Sequence, residues 1–211
     1  MKQEPKHILK DLLILYKKLL IPFMRIRRDI PFPTEPERDE TDGEHAFTLA
    51  MVALSMHERL NLKLDTGKIA HYALVHDLVE THAGDTSVKA AEAVHATKEK
   101  REEEAYRQIK RDFEATFPWL HKTIAAYESR QDAESKFVYA LDKSMGALGW
   151  LAADGLNWRK YYPEESGSMY HLVLKRLRKK VARDGDQVMI ELFDVIHQEL
   201  ENKQDTYYKQ S

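Results

Sequence analysis

The segment His76-Asp-Leu-Val-Glu-Thr-His-Ala-Gly-Asp85 gathers two imidazoles and three carboxylates within ten residues. On a helix, Glu80 shares a face with both His76 and Asp77, lying four residues after the first and three after the second. Asp85 follows Gly84 just past the expected helix end, where a carboxylate can turn back over the same face. Like charges packed together repel unless a cation or a proton compensates them. A bound divalent ion is one compensation, and plain solvation at a helix surface is the competing reading.

Two further segments favour the ion. Glu44-His45 opens a helix whose next turns are apolar (Leu49, Val52, Ala53), which turns His45 inward. Tyr139-Ala-Leu-Asp142-Lys143 sets one acid among Phe137, Val138, Leu141 and Leu148. An acid on such a face is rarely buried unpaired, so metal ligation or a salt bridge to a buried arginine is expected of Asp142.

The elements that must position these groups are helical. Residues Ile8, Leu9, Leu12, Leu13, Tyr16, Leu19 and Leu20 form one apolar stripe ending at Pro22, the mark of an amphipathic helix. Four prolines and many charges between Pro22 and Gly43 predict an irregular loop. Thr41-Asp-Gly-Glu44 has capping-box spacing and opens the helix of His45. Asp65 or Thr66 caps the next, which is expected to carry His76, Asp77 and Glu80 before Gly84 breaks it. A charged helix runs through 97–117, another starts at Pro118, and Asp132 caps a longer one through Asp142 to Gly155. Two more fit between Glu165 and Lys203, separated near Gly185. With no repeat, low-complexity tract or long linker, the expected fold is all-α: a single domain over 1–211, built as a helical bundle with the Pro-rich loop across one end.

Composition excludes several function classes. The chain is 43% hydrophobic and 32% charged, with a formal net charge of -2, an ordinary globular balance. It has no long basic block for nucleic acid or a membrane surface, and Lys175–Lys180 reads as a solvated face. The absence of cysteine removes disulfides, thiolate zinc sites and thiol nucleophiles. Lysines throughout the first apolar run exclude a signal-peptide core or spanning helix, so a cytoplasmic protein is expected.

Taken in order, Glu44-His45, the 76–85 segment and Ala140-Leu-Asp-Lys143 resemble the HD superfamily of metal-dependent phosphohydrolases. The resemblance is nearer to its single-domain branch related to bacterial 5'-deoxynucleotidases. It runs over roughly residues 25–150 and is loose over the last sixty. It implies an all-α fold with one octahedral divalent ion held by His45, His76, Asp77 and Asp142. Two imidazoles and two carboxylates suit Mn, Fe, Co, Ni or Zn, and Mg remains open. Adjacent ligands at 76 and 77 follow from the resemblance alone, since neighbouring helix residues diverge. Glu80 and Asp85 match the family's non-ligand acids, which orient or deprotonate the attacking water. Arg38 matches an arginine seven residues before the histidine. Arg27 and Arg28 lie where nucleotidase relatives carry an Arg-Trp pair, although Asp29 follows here. Lys143 is a further phosphate contact.

The implied activity is hydrolysis of a small phosphorylated substrate, a nucleoside 5'-monophosphate first. A nucleoside triphosphate or pyrophosphate hydrolase is the alternative, and a non-catalytic metal or nucleotide sensor is the alternative from another class. Thr81 and Glu80 stand where guanosine tetraphosphate hydrolases and HD-type cyclic dinucleotide phosphodiesterases, respectively, differ. A homodimer is a weak expectation carried by the resemblance. His82 could touch substrate, whereas His57, His71, His95, His121, His171 and His197 read as surface or core residues. Trp150, Trp158, Tyr161 and Tyr162 read as core packing before they read as a base-binding floor.

Overall fold

The computed structural model describes residues 4–33, 35–163 and 168–210. Pro5, whose missing N–H costs nothing at a first turn, opens α1 (Pro5–Leu15). A π-helical turn (Tyr16–Leu20) and the short α2 (Ile21–Phe23) continue it. Leu19 and Phe23 are buried, but most of the predicted stripe (Ile8, Leu9, Leu12, Leu13, Tyr16) stays exposed.

The expected loop between Pro22 and Gly43 is instead mostly an antiparallel hairpin, β1 (Arg27–Phe32) and β2 (Glu35–Thr41). Proline is confined to edges and bulges in sheets because it cannot donate to the ladder. Both conditions hold here: a two-stranded sheet is all edge, and the register shifts on either side of Pro31. The proline count therefore misled the reading. The hairpin lies against a helix of the core at Gly146, where a Cβ would fall 3.2 Å from Ile30 Cδ1. Arg28 lies two residues from Ile30 on the strand, hence on the same face, and is delivered to the interior with it.

The helix starts follow their caps. α3 (Asp42–Arg59) begins with the full Thr41–Glu44 capping box. α4 (Thr66–Val75) begins with Asp65, which accepts from the Lys68 N–H. The predicted single helix through Glu80 is broken: α4 stops at Val75, and residues 76–79 form turns before α5 (Glu80–Ala83). The bonds Leu78 N–H to Val75 O and Glu80 N–H to Asp77 O replace the α-helical ladder. Gly84, at φ +74°, takes a conformation open to glycine and ends α5. α6 (Glu92–Phe113) and α7 (Trp119–Ser129) follow. α8 (Ala133–Ala152) starts at Asp132, which accepts from the Ser135 N–H. α9 (Trp158–Tyr161), α10 (Ser168–Asp184) and α11 (Gln187–Gln210) complete the chain. The break near Gly185 is as predicted, whereas a start at Glu165 lies outside the described residues.

α8 is central, packing on α3, α4, α7, α10 and α11. Leu49, Ile69, Val138, Leu141 and Phe193 are fully buried around it, each stabilising by about 1.5–3 kcal/mol. A second core joins α2, α6 and α7 through Phe23, Ile109, Phe113 and Ile124. A third is aromatic: Trp158 stands 4.6 Å from Tyr162 and 5.0 Å from Trp150, centre to centre. No described helix is long and apolar enough to cross a membrane. The helices dominate and the fold class is all-α, as the sequence indicated.

Candidate functional site

His45 leaves the first turn of α3, His76 follows the end of α4, and Asp142 sits mid-α8. All three are buried, and a donor atom from each lies within 4.8 Å of the other two. His45 Nε2 is 3.0 Å from Asp142 Oδ1, and its Nδ1 is 3.4 Å from Glu40 Oε2. His76 is anchored through Nδ1, 2.8 Å from the Ala73 carbonyl oxygen. Its Nε2 lies 2.9 Å from Asp77 Oδ2, yet this buried nitrogen makes no hydrogen bond. Three of the four predicted ligands, His45, His76 and Asp142, are thus brought together, while Asp77 touches His76 and groups with Asp42 and Glu80. A buried imidazole nitrogen without a partner, beside carboxylate oxygens, fits a divalent ion of the borderline kind.

The break after Val75 accounts for the adjacent pair. His76 is held over α4 by Ala73, and Arg28 Nη1 donates at 2.8 Å to Asp77 Oδ2, the oxygen that lies 2.9 Å from His76 Nε2. Arg28 also donates to Asp42 at 3.1 Å. Lys143 donates to Asp142.

The carboxylates fall into two electrostatic groups. Burial pushes Asp142 up, but Lys143 and the two imidazoles outweigh it and hold it well below the usual range. Burial is likewise outweighed at Asp77, by His76 and Arg28. At Glu80 the balance reverses: burial, with Asp77 and Asp85 nearby, pushes it up to about 10, and Lys98 offsets this only in part. Lys98 Nζ is 3.3 Å from Oε1, while Oε2 is buried without a partner. Asp85 is raised by burial, and Asp42, fully buried, is raised to about 6 by burial and Asp77. His45 is pulled down by burial and by Arg28, but its bonds to Asp142 and Glu40 prevail and raise it.

Of the groups around the site, Arg28, Asp77, Glu80, Asp85, Asp142 and Lys143 line a cavity of about 150 Å³. The sequence-predicted Arg27 and Arg38 are not brought to it. Arg27 donates to the Asp39 carbonyl at 2.7 Å. Arg38 grips Glu35 at 2.7 Å and Glu44 at 2.8 Å and covers the Phe32 ring, so two local acids compete for the guanidinium. Sequence reasoning missed Glu40, Asp42, Lys98 and Lys180. Asp42 lies inside the Thr41–Glu44 capping segment, and Lys98 sits in a run of charges. Lys180, read as part of a solvated face, also lines the cavity. His82 is exposed, away from the cavity lining.

Against known proteins, a family model described as HD domain matches residues 26–185, and the chain belongs to that family. The fold is similar to a predicted metal-dependent phosphohydrolase from Magnetospirillum magnetotacticum, at 24% identity and TM-score 0.69 over 98% of both chains. It is also similar to the PH0347 protein from Pyrococcus horikoshii, at 18% identity and TM-score 0.57 over 89% of this chain and 97% of that one. A conserved hypothetical protein from Pyrococcus furiosus gives 16% identity and TM-score 0.58 over 90% and 99%. No curated protein sequence matches this chain.

Proposed function

We propose that this chain is a metal-dependent phosphohydrolase that cleaves nucleoside 5'-monophosphates to nucleoside and inorganic phosphate. The observation that carries it is the buried, unpartnered His76 Nε2 among the oxygens of Asp77 and Asp142. His45, His76, Asp77 and Asp142 are the residues that would hold a divalent ion. That ion would supply Lewis-acid activation of a phosphoryl oxygen and an acidified water.

The chain's own groups do the rest. Arg28 and Lys143 put fixed positive charge where a phosphate's oxygens would lie, and charge neutralisation is the main demand of phosphoryl transfer. Glu80, protonated in the metal-free protein, would be ionised beside a bound cation and is then assigned to take the proton of the attacking water at Oε2, with Lys98 on Oε1 holding the carboxyl in place. Asp85 supports it from the loop after Gly84. Two acids beyond the four donors are more than a structural ion needs, which favours catalysis over a sensor.

A second reading, attack within a longer phosphate chain, is favoured by one observation. Lys89, Lys98, Lys143 and Lys180 all line the same cavity, a wider basic lining than one phosphate requires. The deciding experiment is product analysis with nucleoside mono-, di- and triphosphates at matched concentration, with Mn, Co, Ni, Zn or Mg added to metal-stripped protein. Inorganic phosphate from monophosphates is expected. Pyrophosphate or triphosphate release with monophosphates untouched selects the second reading, and no phosphorus-containing product from any of them rejects both.

A further inference from the structure

The cavity does not end at the phosphate-binding groups. Its wall along α8 is formed by Asp142, Lys143, Gly146, Ala147 and Trp150, one face of a helix at i and i+4 spacing. From Asp142 to Trp150 that wall rises about 12 Å, more than a phosphate or a phosphorylated small alcohol occupies. The far end is closed by Tyr162, by Tyr170 and Val173 of α10, and by His197 and Leu200 of α11.

Within that apolar end one polar atom has no partner. His197 is 4% exposed, its ring lies 4.1 Å from Phe193, and its Nδ1 is 2.9 Å from the Tyr170 hydroxyl. Its Nε2 is buried and makes no hydrogen bond. Burial pushes the ring down to about 4, so near pH 7 it carries one proton. That proton sits on Nε2 in the tautomer in which the Tyr170 hydroxyl donates to Nδ1. A buried polar nitrogen left unsatisfied is costly, and His197 is one of the residues that line this cavity.

We propose that the far end of this cavity is a subsite for a neutral heteroaromatic ring, a nucleobase, whose acceptor nitrogen or carbonyl is read by His197 Nε2–H. Trp150, Tyr162 and Tyr170 supply the apolar and aromatic surface against which such a ring packs, and the Tyr170 hydroxyl fixes the imidazole's orientation. The ring's identity as a nucleobase rests on the nucleotide reading above, while the subsite itself needs neither metal nor phosphate.

The test uses the full-length protein, stripped of metal, titrated calorimetrically with adenosine, guanosine, cytidine, uridine and, as control, ribose. At least one nucleoside should bind saturably, and ribose should not. His197→Leu should weaken that binding at least tenfold, with His197→Gln recovering part of it by restoring a donor near Nε2. Because a buried substitution can cost the fold, Ala147→Leu gives an independent check: it fills the cavity without touching His197 and should also abolish binding, with circular dichroism confirming a folded protein. Failure of all four nucleosides to bind, or binding unaltered in both folded variants, overturns the subsite. Phosphate release from nucleotides is measured separately. Hydrolysis without nucleoside binding leaves the phosphohydrolase reading standing and removes the subsite. Nucleoside binding without hydrolysis under any metal does the reverse.

Discussion

Asp142 and Glu80 are buried carboxylates on the walls of one cavity, and the protein treats them in opposite ways. Asp142 faces two imidazoles and touches Lys143, and it is held ionised. Glu80 has one lysine at 3.3 Å and otherwise faces acids, and it is held protonated in the metal-free protein. The same division separates Asp77, which faces His76 as well as Arg28, from Asp42 and Asp85, which are raised. Loss of solvent raises all five, so it is their neighbours that divide them. Environments that push like groups apart in pKa are how a site assigns one acid to hold charge and another to carry protons.

The largest effect is expected at Asp142. Asp142→Ala should lose both metal and phosphate release, because His45 and Lys143 lose their shared partner. A variant retaining metal at the parent's stoichiometry would sink the donor assignment. Glu80→Gln should behave differently, keeping metal while the rate falls about 10²–10⁴-fold, the usual worth of a positioned proton acceptor. A near-normal rate would transfer the role to Asp85.

Arg28→Ala tests whether the low group is held low by its cation. Removing one member of a buried ion pair costs about 3 kcal/mol, and urea unfolding of the metal-free variant should show a loss of that order. A loss that shrinks when a divalent ion is added would place that ion and the guanidinium in competition for the same oxygens.

The pH dependence sharpens the contrast. Glu80 at about 10 and Asp42 at about 6 lie above their unfolded values of 4.5 and 3.8. The folded chain therefore binds the extra protons, and this contribution is complete below those unfolded values and is lost as pH rises towards about 10. The metal-free Tm should fall between pH 6 and pH 9, and less steeply in Glu80→Gln. An equal slope in both would mean that Glu80 is not the group releasing its proton. The smallest effect is expected at Arg38. Arg38→Ala should leave KM for any substrate within about twofold, since a guanidinium spent on Glu35 and Glu44 has no phosphate to lose; a larger rise in KM returns it to the site.

What was legible in the sequence was local. Thr41, Asp65 and Asp132 mark helix starts because a cap needs only the next three residues, and all three cap as read. The approach of His45, His76 and Asp142 was legible only through the resemblance, because separations of up to 97 residues leave no periodic trace. Arg38 was misplaced for the converse reason: its spacing to His45 matched, but Glu35 and Glu44 were nearer. The hairpin carrying Arg28 hid behind its prolines. The aromatic end depends on α8 meeting α10 and α11, and nothing within any one of those segments announces that meeting.

The interruption between Val75 and Glu80 bears on whether this motif can be moved. A designer copying His76, Asp77 and Glu80 onto an uninterrupted helix would preserve every residue and every interval. Yet successive positions there point about 100° apart, and the imidazole and carboxylate would look past each other. The portable unit is a helix end, its Ala73 carbonyl, the tightened turns to Glu80 and an arginine arriving from a separate strand. Transplanting the letters without that junction would carry over the composition of a binding site and none of its convergence.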